Sequence, residues 1–127
     1  MAKMYQKKFF HLERPEGGME RNLAPGIDAT IFFGAQAMIS IARFQPSAKG
    51  LVHQHPEEQW GICQSGSGVR IQDGERISVR AGDFWLTPGG VSHGMEADEE
   101  GMVVIDIFAP PRRAYKTAGS GFGAMEE

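Results

Sequence analysis

The sequence has one cysteine, Cys63, no long apolar run and no excess of basic residues. A lone cysteine cannot form an internal disulfide, which favours a reducing compartment. No apolar stretch has the length of a signal-peptide core or a membrane span. The net charge of −3 argues against nucleic acid and acidic membranes as partners, because both attract clustered basic residues. These absences predict a cytoplasmic globular protein, and 127 residues suit one domain.

Short apolar runs, separated by 17 glycines and 7 prolines, make up most of the chain. The clearest is VRIQDGERISVR, two alternating runs joined at Asp73–Gly74, a pair typical of tight β-hairpins. Many short strands with regular turns predict an all-β sandwich or barrel. The other predicted strands are ATIFFG, AQAMISIARFQP, DFWLTP, GMVVIDIFAP and QWGICQSGSG, the last ending in a glycine-serine turn.

We expect the barrel core to span about residues 29–109. Residues 1–18 fit either a wrapping arm or an extra edge strand, and the sequence does not distinguish them. The glycine-rich, polar stretch over residues 116–127 is predicted to be a loose tail.

Three of the four histidines lie in two segments that also carry glycine and proline at regular spacing. His53 and His55 would face the same way in a strand, as two ligands of one metal ion must. A solvent-exposed strand face is the alternative for such a pair. Gln59, just after a turn, would lie on their side by strand parity, while Glu57 and Glu58 would stay in the turn. His11 has no such patterned residues around it and is assigned no role.

These segments resemble the two cupin motifs, G-x5-H-x-H-x3/4-E-x6-G and G-x5-P-x-G-x2-H-x3-N. The second motif is matched by Gly82, Pro88, Gly90 and His93. The chain departs from the pattern in three places: Gly50 lies too near His53, Gln59 replaces the glutamate, and Ala97 replaces the last asparagine. The resemblance implies a single jelly-roll barrel, with the four metal ligands His53, His55, Gln59 and His93.

A glutamine ligand would leave the full +2 charge on a divalent ion, because three imidazoles and an amide are all neutral. Such an ion is a strong Lewis acid and attracts anionic substrates. Nitrogen and oxygen ligands without thiolate suit Zn, Ni, Fe, Mn or Co, and the sequence does not choose among them. Cys63 is more simply interpreted as a small core residue.

The apolar run GMVVIDIFAP contains a carboxylate, Asp106, where an unpaired charge would be costly. One interpretation is a structural ion pair with Arg112 or Arg113. The other places Asp106 and Phe108 inside the barrel, facing the metal, with Arg112 at its mouth.

The combination of HxHPxEQ, aGDfxxxPxxxxHG and DxFxPxR resembles the pectin-degradation cupins of the KdgF type. That resemblance implies ring opening of 4,5-unsaturated monouronates to linear keto acids, with glutamine as a metal ligand. It implies that Asp106 and Arg112 are catalytic and that Phe108 and Arg112 bind the anionic sugar acid. A binding cupin without turnover and an Fe(II) dioxygenase remain alternatives.

A homodimer is the expected assembly, because small cupin barrels commonly pair through an outer sheet and ATIFF would be hazardous as a bare edge. The aromatic residues Trp60, Phe84 and Trp85 are expected in the core or at a dimer contact, not in the site.

Overall fold

The computed structural model describes residues 8–115 and 121–122. Its elements are seven strands and one short 3-10 turn, so the predicted all-β fold class is confirmed. The strands are β1 (Met19–Ala24), β2 (Ile27–Phe33), β3 (Met38–Phe44), β4 (Glu58–Gln72), β5 (Glu75–Arg80), β6 (Phe84–Thr87) and β7 (His93–Ala109), and the turn is Arg113–Tyr115.

The strands pair antiparallel in the order β1-β2-β3-β7-β4-β5, with β6 paired to β4. This arrangement is the jelly-roll barrel that the motifs predicted. Strand pairing begins at Met19, ten residues before the expected start of the core at Ala29. The run ATIFF is not an edge, because β2 pairs with β1 on one side and β3 on the other. The edge argument for a dimer is therefore wrong.

The predicted hairpin joins β4 to β5 and is confirmed. Asp73 and Gly74 both have positive φ, at 51° and 81°, as a tight turn matching strand twist requires. The glycine-serine turn predicted after QWGICQ is wrong, because β4 continues through it to Gln72. Two register shifts, between Cys63 and Ser65 and between Gly66 and Gly68, bend the strand there instead.

Alternating residues of the strands fill the barrel, as period-two alternation predicts. The inner residues include Ile27, Ala29, Ile31, Met38, Ala42, Met102 and Val104. The same sheet carries a second apolar face on its outside. In register across β3, β7, β4 and β6, this face has two rows, Ile39–Ile107–Trp60–Leu86 and Ile41–Ile105–Ile62–Phe84.

The described part of the N-terminal stretch forms no strand before Met19. It makes an isolated bridge between His11 and Arg14, and the ring of Phe10 lies 4.5 Å from that of Phe32. Residues 8–18 thus form an arm on the barrel. Among the helices of the described chain, none has the length and apolar character needed to cross a membrane.

Candidate functional site

The two histidine-bearing segments meet through an isolated β-bridge. His53 N donates to His93 O at 2.9 Å, and His93 N donates to His53 O at 2.8 Å. The strand predicted around His53 and His55 is reduced to this bridge. Extended backbone still directs both side chains inward, and their ring centroids lie 5.7 Å apart.

The three imidazoles form one buried cluster. Their possible ligand atoms lie within 4.8 Å of one another. Each ring also has Nδ1 beside a backbone carbonyl: Leu51 O for His53 (2.8 Å), Glu57 O for His55 (3.1 Å) and Val91 O for His93 (2.9 Å). A carbonyl only accepts hydrogen bonds, so each Nδ1 carries the proton and each Nε2 keeps its lone pair. Backbone carbonyls commonly orient metal-bound histidines in this way.

Two further contacts fit a cation at the centre of the cluster. His55 Nε2 lies 3.0 Å from Gln59 Oε1. Because both atoms are acceptors in the assigned tautomer, a positive ion between them would relieve their repulsion. His93 Nε2 is buried without a hydrogen-bond partner among the described residues. The cluster could therefore hold a metal ion, with Gln59 adding an oxygen ligand.

Burial keeps the imidazoles neutral. Loss of solvation lowers the pKa of His53 and of His55 to about 4 and the pKa of His93 to about 2. Arg112 lowers the first two further and Arg70 the third. Neutral imidazole is the form that binds metals, so all three histidines are in the metal-binding form at neutral pH. His11, in contrast, is exposed on the arm and takes no part in the cluster.

Asp106 and Phe108 point into the barrel from β7, as predicted. Asp106 Oδ1 accepts a hydrogen bond from Gln59 Nε2 at 2.9 Å, which turns Gln59 Oε1 toward the histidines. Burial raises the pKa of Asp106, while Arg70 and the Gln59 hydrogen bond oppose the shift. Phe108 is buried, and its ring centroid lies 5.6 Å from that of His55.

Arg112 does not lie at an open mouth. Its side chain is fully buried, 4.5 Å from the Tyr115 ring centroid, and Nη1 donates to Phe122 O. Within the described chain it is absent from the cavity wall and makes no ion pair with Asp106. The same holds for Arg113, so the alternative interpretation of Asp106, a structural ion pair with either arginine, is not found among the described residues. Tyr115, on the 3-10 turn, covers the guanidinium from one side.

Glu57 was expected to stay in the turn, but it is buried. Its Oε1 lies 3.3 Å from His55 Nδ1 and 3.8 Å from Arg112 Nε. It approaches the Nδ1 side of the His55 ring, which faces away from the cluster, and so helps to orient that imidazole. Glu58 is exposed at the start of β4, as expected.

Arg70 is a pocket residue that the sequence did not indicate. It is buried on β4, with Nη2 donating to Thr87 Oγ1 at 2.8 Å and Nε donating to Gln72 Oε1 at 3.2 Å. Burial lowers its pKa to about 10 and the charge of Asp106 opposes this, so Arg70 remains a cation at neutral pH.

These groups surround a cavity of about 40 Å³. Its polar wall consists of Ser40, His53, Gln59, Arg70, His93 and Asp106, and Phe108, Tyr115 and Phe122 supply aromatic surface. The cavity combines a ligand cluster, one carboxylate and one buried cation.

Cys63 is a buried core residue, as expected. Trp85 packs against the core from β6, and its indole lies where a side chain at Gly61 would be. Trp60 and Phe84 lie exposed on the outer face, with ring centroids 6.4 Å apart. The cavity wall contains none of these three aromatic residues.

Residues 40–108 match the cupin domain. The chain therefore belongs to the cupin family, as its motifs, its barrel and its histidine cluster indicate. Within that family it resembles KdgF. The pectin degradation protein KdgF of Dickeya dadantii is 32% identical over 79 residues, which are 61% of this chain and 72% of that protein.

The solved structure of KdgF from a Halomonas species superposes with a TM-score of 0.74 and 28% identity, covering 85% of this chain and 97% of that one. The dimethylsulfoniopropionate lyase DddW of Ruegeria pomeroyi is also similar, at 32% identity over 89 residues. That match covers 70% of this chain and 53% of the lyase, so the chain spans about half the length of that relative. The relatives thus include proteins whose names refer to different activities.

Proposed function

We propose that this protein is a metal-dependent isomerase that opens 4,5-unsaturated monouronates to linear keto acids. The observation that carries the proposal is the hydrogen bond from Gln59 to Asp106 at 2.9 Å. It joins a carboxylate to the candidate metal cluster inside one cavity. Similarity to KdgF, whose name refers to pectin degradation, supports uronates as the substrate class.

The reaction needs a group that first accepts and then donates a proton. Asp106 would take the proton of the hemiacetal hydroxyl while the bond between that carbon and the ring oxygen breaks. The products of this step are an aldehyde, an enolate and the protonated carboxyl of Asp106. Return of that proton to the enolate carbon makes the ketone, so atoms and charges balance without an oxidant. A buried carboxyl with a raised pKa suits both halves of this transfer.

The residues that would hold the metal are His53, His55, Gln59 and His93. When bound, a divalent ion would supply Lewis-acid stabilisation of negative charge on the substrate oxygens. Zn, Ni, Fe, Mn and Co all accept such ligands, and the metal's identity follows from elemental analysis.

Other residues of the cavity would orient the substrate. Arg70 places a positive charge beside Asp106 and attracts an anionic sugar acid. Phe108, whose ring lies beside His55 in the cavity wall, would offer an apolar face and exclude water from the proton transfer. Arg112 would bind the substrate carboxylate. To do so, its guanidinium would exchange its hydrogen bond to Phe122 O for one to that carboxylate.

The test is turnover of an unsaturated monouronate by metal-loaded protein under anaerobic conditions, followed by loss of the conjugated enol-ether absorbance. Turnover without oxygen supports the isomerase and excludes both a dioxygenase and a binding protein without turnover. Tight uronate binding without turnover would instead favour the binding protein. Dimethylsulfoniopropionate is the second substrate to assay, and its cleavage with inert uronates would contradict our proposal.

We also propose a cytoplasmic homodimer, joined through the outer apolar face. On that face Phe84 is 68% and Trp60 40% exposed in a single copy. Eight apolar side chains in two adjacent rows, with no charge between them, suit a second copy of the same face. The free, buried Cys63 is consistent with a reducing compartment.

A further inference from the structure

Gly121 and Phe122, far along the chain, are held at the mouth of the barrel. Gly121 N donates to Asn22 O at 2.7 Å, and Arg21 Nε donates to Gly121 O at 2.8 Å. Arg112 Nη1 donates to Phe122 O. The stretch over residues 116–127 was predicted to be loose, and most of it lies outside the described residues. Its two described residues are docked by three hydrogen bonds.

The Phe122 ring covers His53 in the wall of the cavity. It lies 4.8 Å from His53, centroid to centroid, with the two planes inclined by 32°. A Cβ added at Gly50 would come within 3.2 Å of Phe122 Cζ, which shows how closely the ring fits. Phe122 forms part of the same cavity wall as Asp106.

With Phe122 docked, the cavity is too small for a sugar acid. Its volume of about 40 Å³ accommodates a few water molecules at about 10–15 Å³ each. Pockets for small-molecule ligands typically measure about 300–1,000 Å³. Gly121 and Phe122 belong to no strand and are held by three hydrogen bonds, so we expect this pair to be the part of the wall that moves most easily.

Phe122 also occupies the contacts that a sugar acid would use. Its carbonyl oxygen binds the guanidinium of Arg112, where a carboxylate oxygen would bind, and its ring covers His53, where a sugar ring would lie. Arg112 is fully buried, and its Nε and Nη2 have no hydrogen-bond partner in the described part of the chain. A carboxylate would satisfy more of these donors than one carbonyl does.

We propose that Gly121–Phe122 is a plug that occupies the substrate position and is displaced when a sugar acid enters. Its departure opens the cavity and frees Arg112 to bind the carboxylate. The identity of the ligand rests on the proposed function, whereas closure of the cavity does not. Apparent affinity is reduced by the fraction of molecules in which the plug is closed.

The test compares wild type with two full-length variants, Phe122→Ala and Gly121→Pro. Proline removes the N–H bonded to Asn22 and cannot adopt the positive φ of 82° at Gly121. The exposed Phe9 provides the control, Phe9→Ala. Each protein is loaded with Co²⁺, whose visible absorption reports both binding of galacturonate, a saturated uronate, and removal of the ion by a chelator.

Both plug variants should bind galacturonate about tenfold or more tightly, since opening is no longer required. They should also lose Co²⁺ to the chelator about tenfold faster, while Phe9→Ala behaves as wild type. Unchanged affinity and unchanged chelation in both variants would overturn the plug. Faster chelation without galacturonate binding would overturn the sugar acid as ligand but keep the plug. Absence of turnover on unsaturated uronates, with these changes present, would contradict only the proposed function.

Discussion

The two faces of β4 and β7 differ around Gln59 and Asp106, where polar side chains interrupt the apolar interior and apolar side chains lie on the outside. The inner face holds the buried Gln59 and the partly buried Asp106, which are hydrogen-bonded to each other, whereas the outer face exposes Trp60. Burying a polar group without full compensation costs about 1–3 kcal/mol. A sequence selected for stability alone would place the apolar residues inside. This difference favours the chemistry proposed for the inner face and the dimer contact proposed for the outer face.

The largest effect is expected from removing an inner-face histidine. His53→Ala should lose bound metal and all turnover, because a site without thiolate retains little affinity after losing one ligand. Elemental analysis of protein purified without chelators measures this directly. His11→Ala, on the exposed arm, is the matched control and should keep the metal. One metal per chain in the His53→Ala protein would show that the cluster is not the metal site.

Removing the inner-face cation should have the next largest effect. Arg70→Gln should raise KM for an anionic substrate by about tenfold to a hundredfold, since charged hydrogen bonds contribute about 1.5–3 kcal/mol. The acid limb of the pH–rate profile should also move to higher pH, because Arg70 lowers the pKa of Asp106. Steady-state kinetics against pH tests both effects. Arg76→Gln, at an exposed pair with Glu96, should change neither.

A charge on the outer face should separate assembly from chemistry. Trp60→Lys should weaken the dimer by about thirtyfold or more, the effect of losing an interface residue worth about 2 kcal/mol. Turnover per chain should persist, because Trp60 faces away from the cavity. Sedimentation at micromolar concentration is the measurement, with Ile77→Lys on β5 as the control. A monomeric wild-type protein would refute the role given to this face.

A further prediction concerns the stability of the metal-free protein and not its turnover. The folded-state pKa values of His53 and His55, about 4, lie below the usual 6.5. Their contribution to stability is therefore fully present above pH 6.5 and is lost as pH falls toward 4, where the unfolded chain binds more protons. Thermal melts of metal-free protein at pH 7.5 and 4.5 should show this decline. An equal melting temperature at both values would contradict the burial of neutral imidazoles.

Much of the inner face was predictable because it depends on local rules. Period-two alternation places Asp106 and Phe108 on one face of β7, and two motifs at fixed spacing locate the histidines and Gln59. The Asp73–Gly74 hairpin follows from turn chemistry. Each of these inferences uses residues close together in sequence or a pattern shared across the family.

The rest depends on tertiary packing that local patterns do not encode. Counting by twos from Gln59 would place Arg70 outside the barrel, but the extra residue between Cys63 and Ser65 reverses the alternation and turns it inward. Burial of Arg112 depends on Tyr115 folding over it. Docking of Phe122 has no periodic signal, because it rests on two hydrogen bonds to the distant strand β1 and one from Arg112.

The most direct test of the account is Asp106→Asn, measured for both turnover and melting temperature. The change keeps the size of the side chain but removes its titrating carboxyl. We predict that metal content and melting temperature stay close to wild type, while anaerobic turnover of an unsaturated monouronate falls by about two to four orders of magnitude. A metal-loaded Asp106→Asn protein with full activity would contradict the central claim that Asp106 moves the proton.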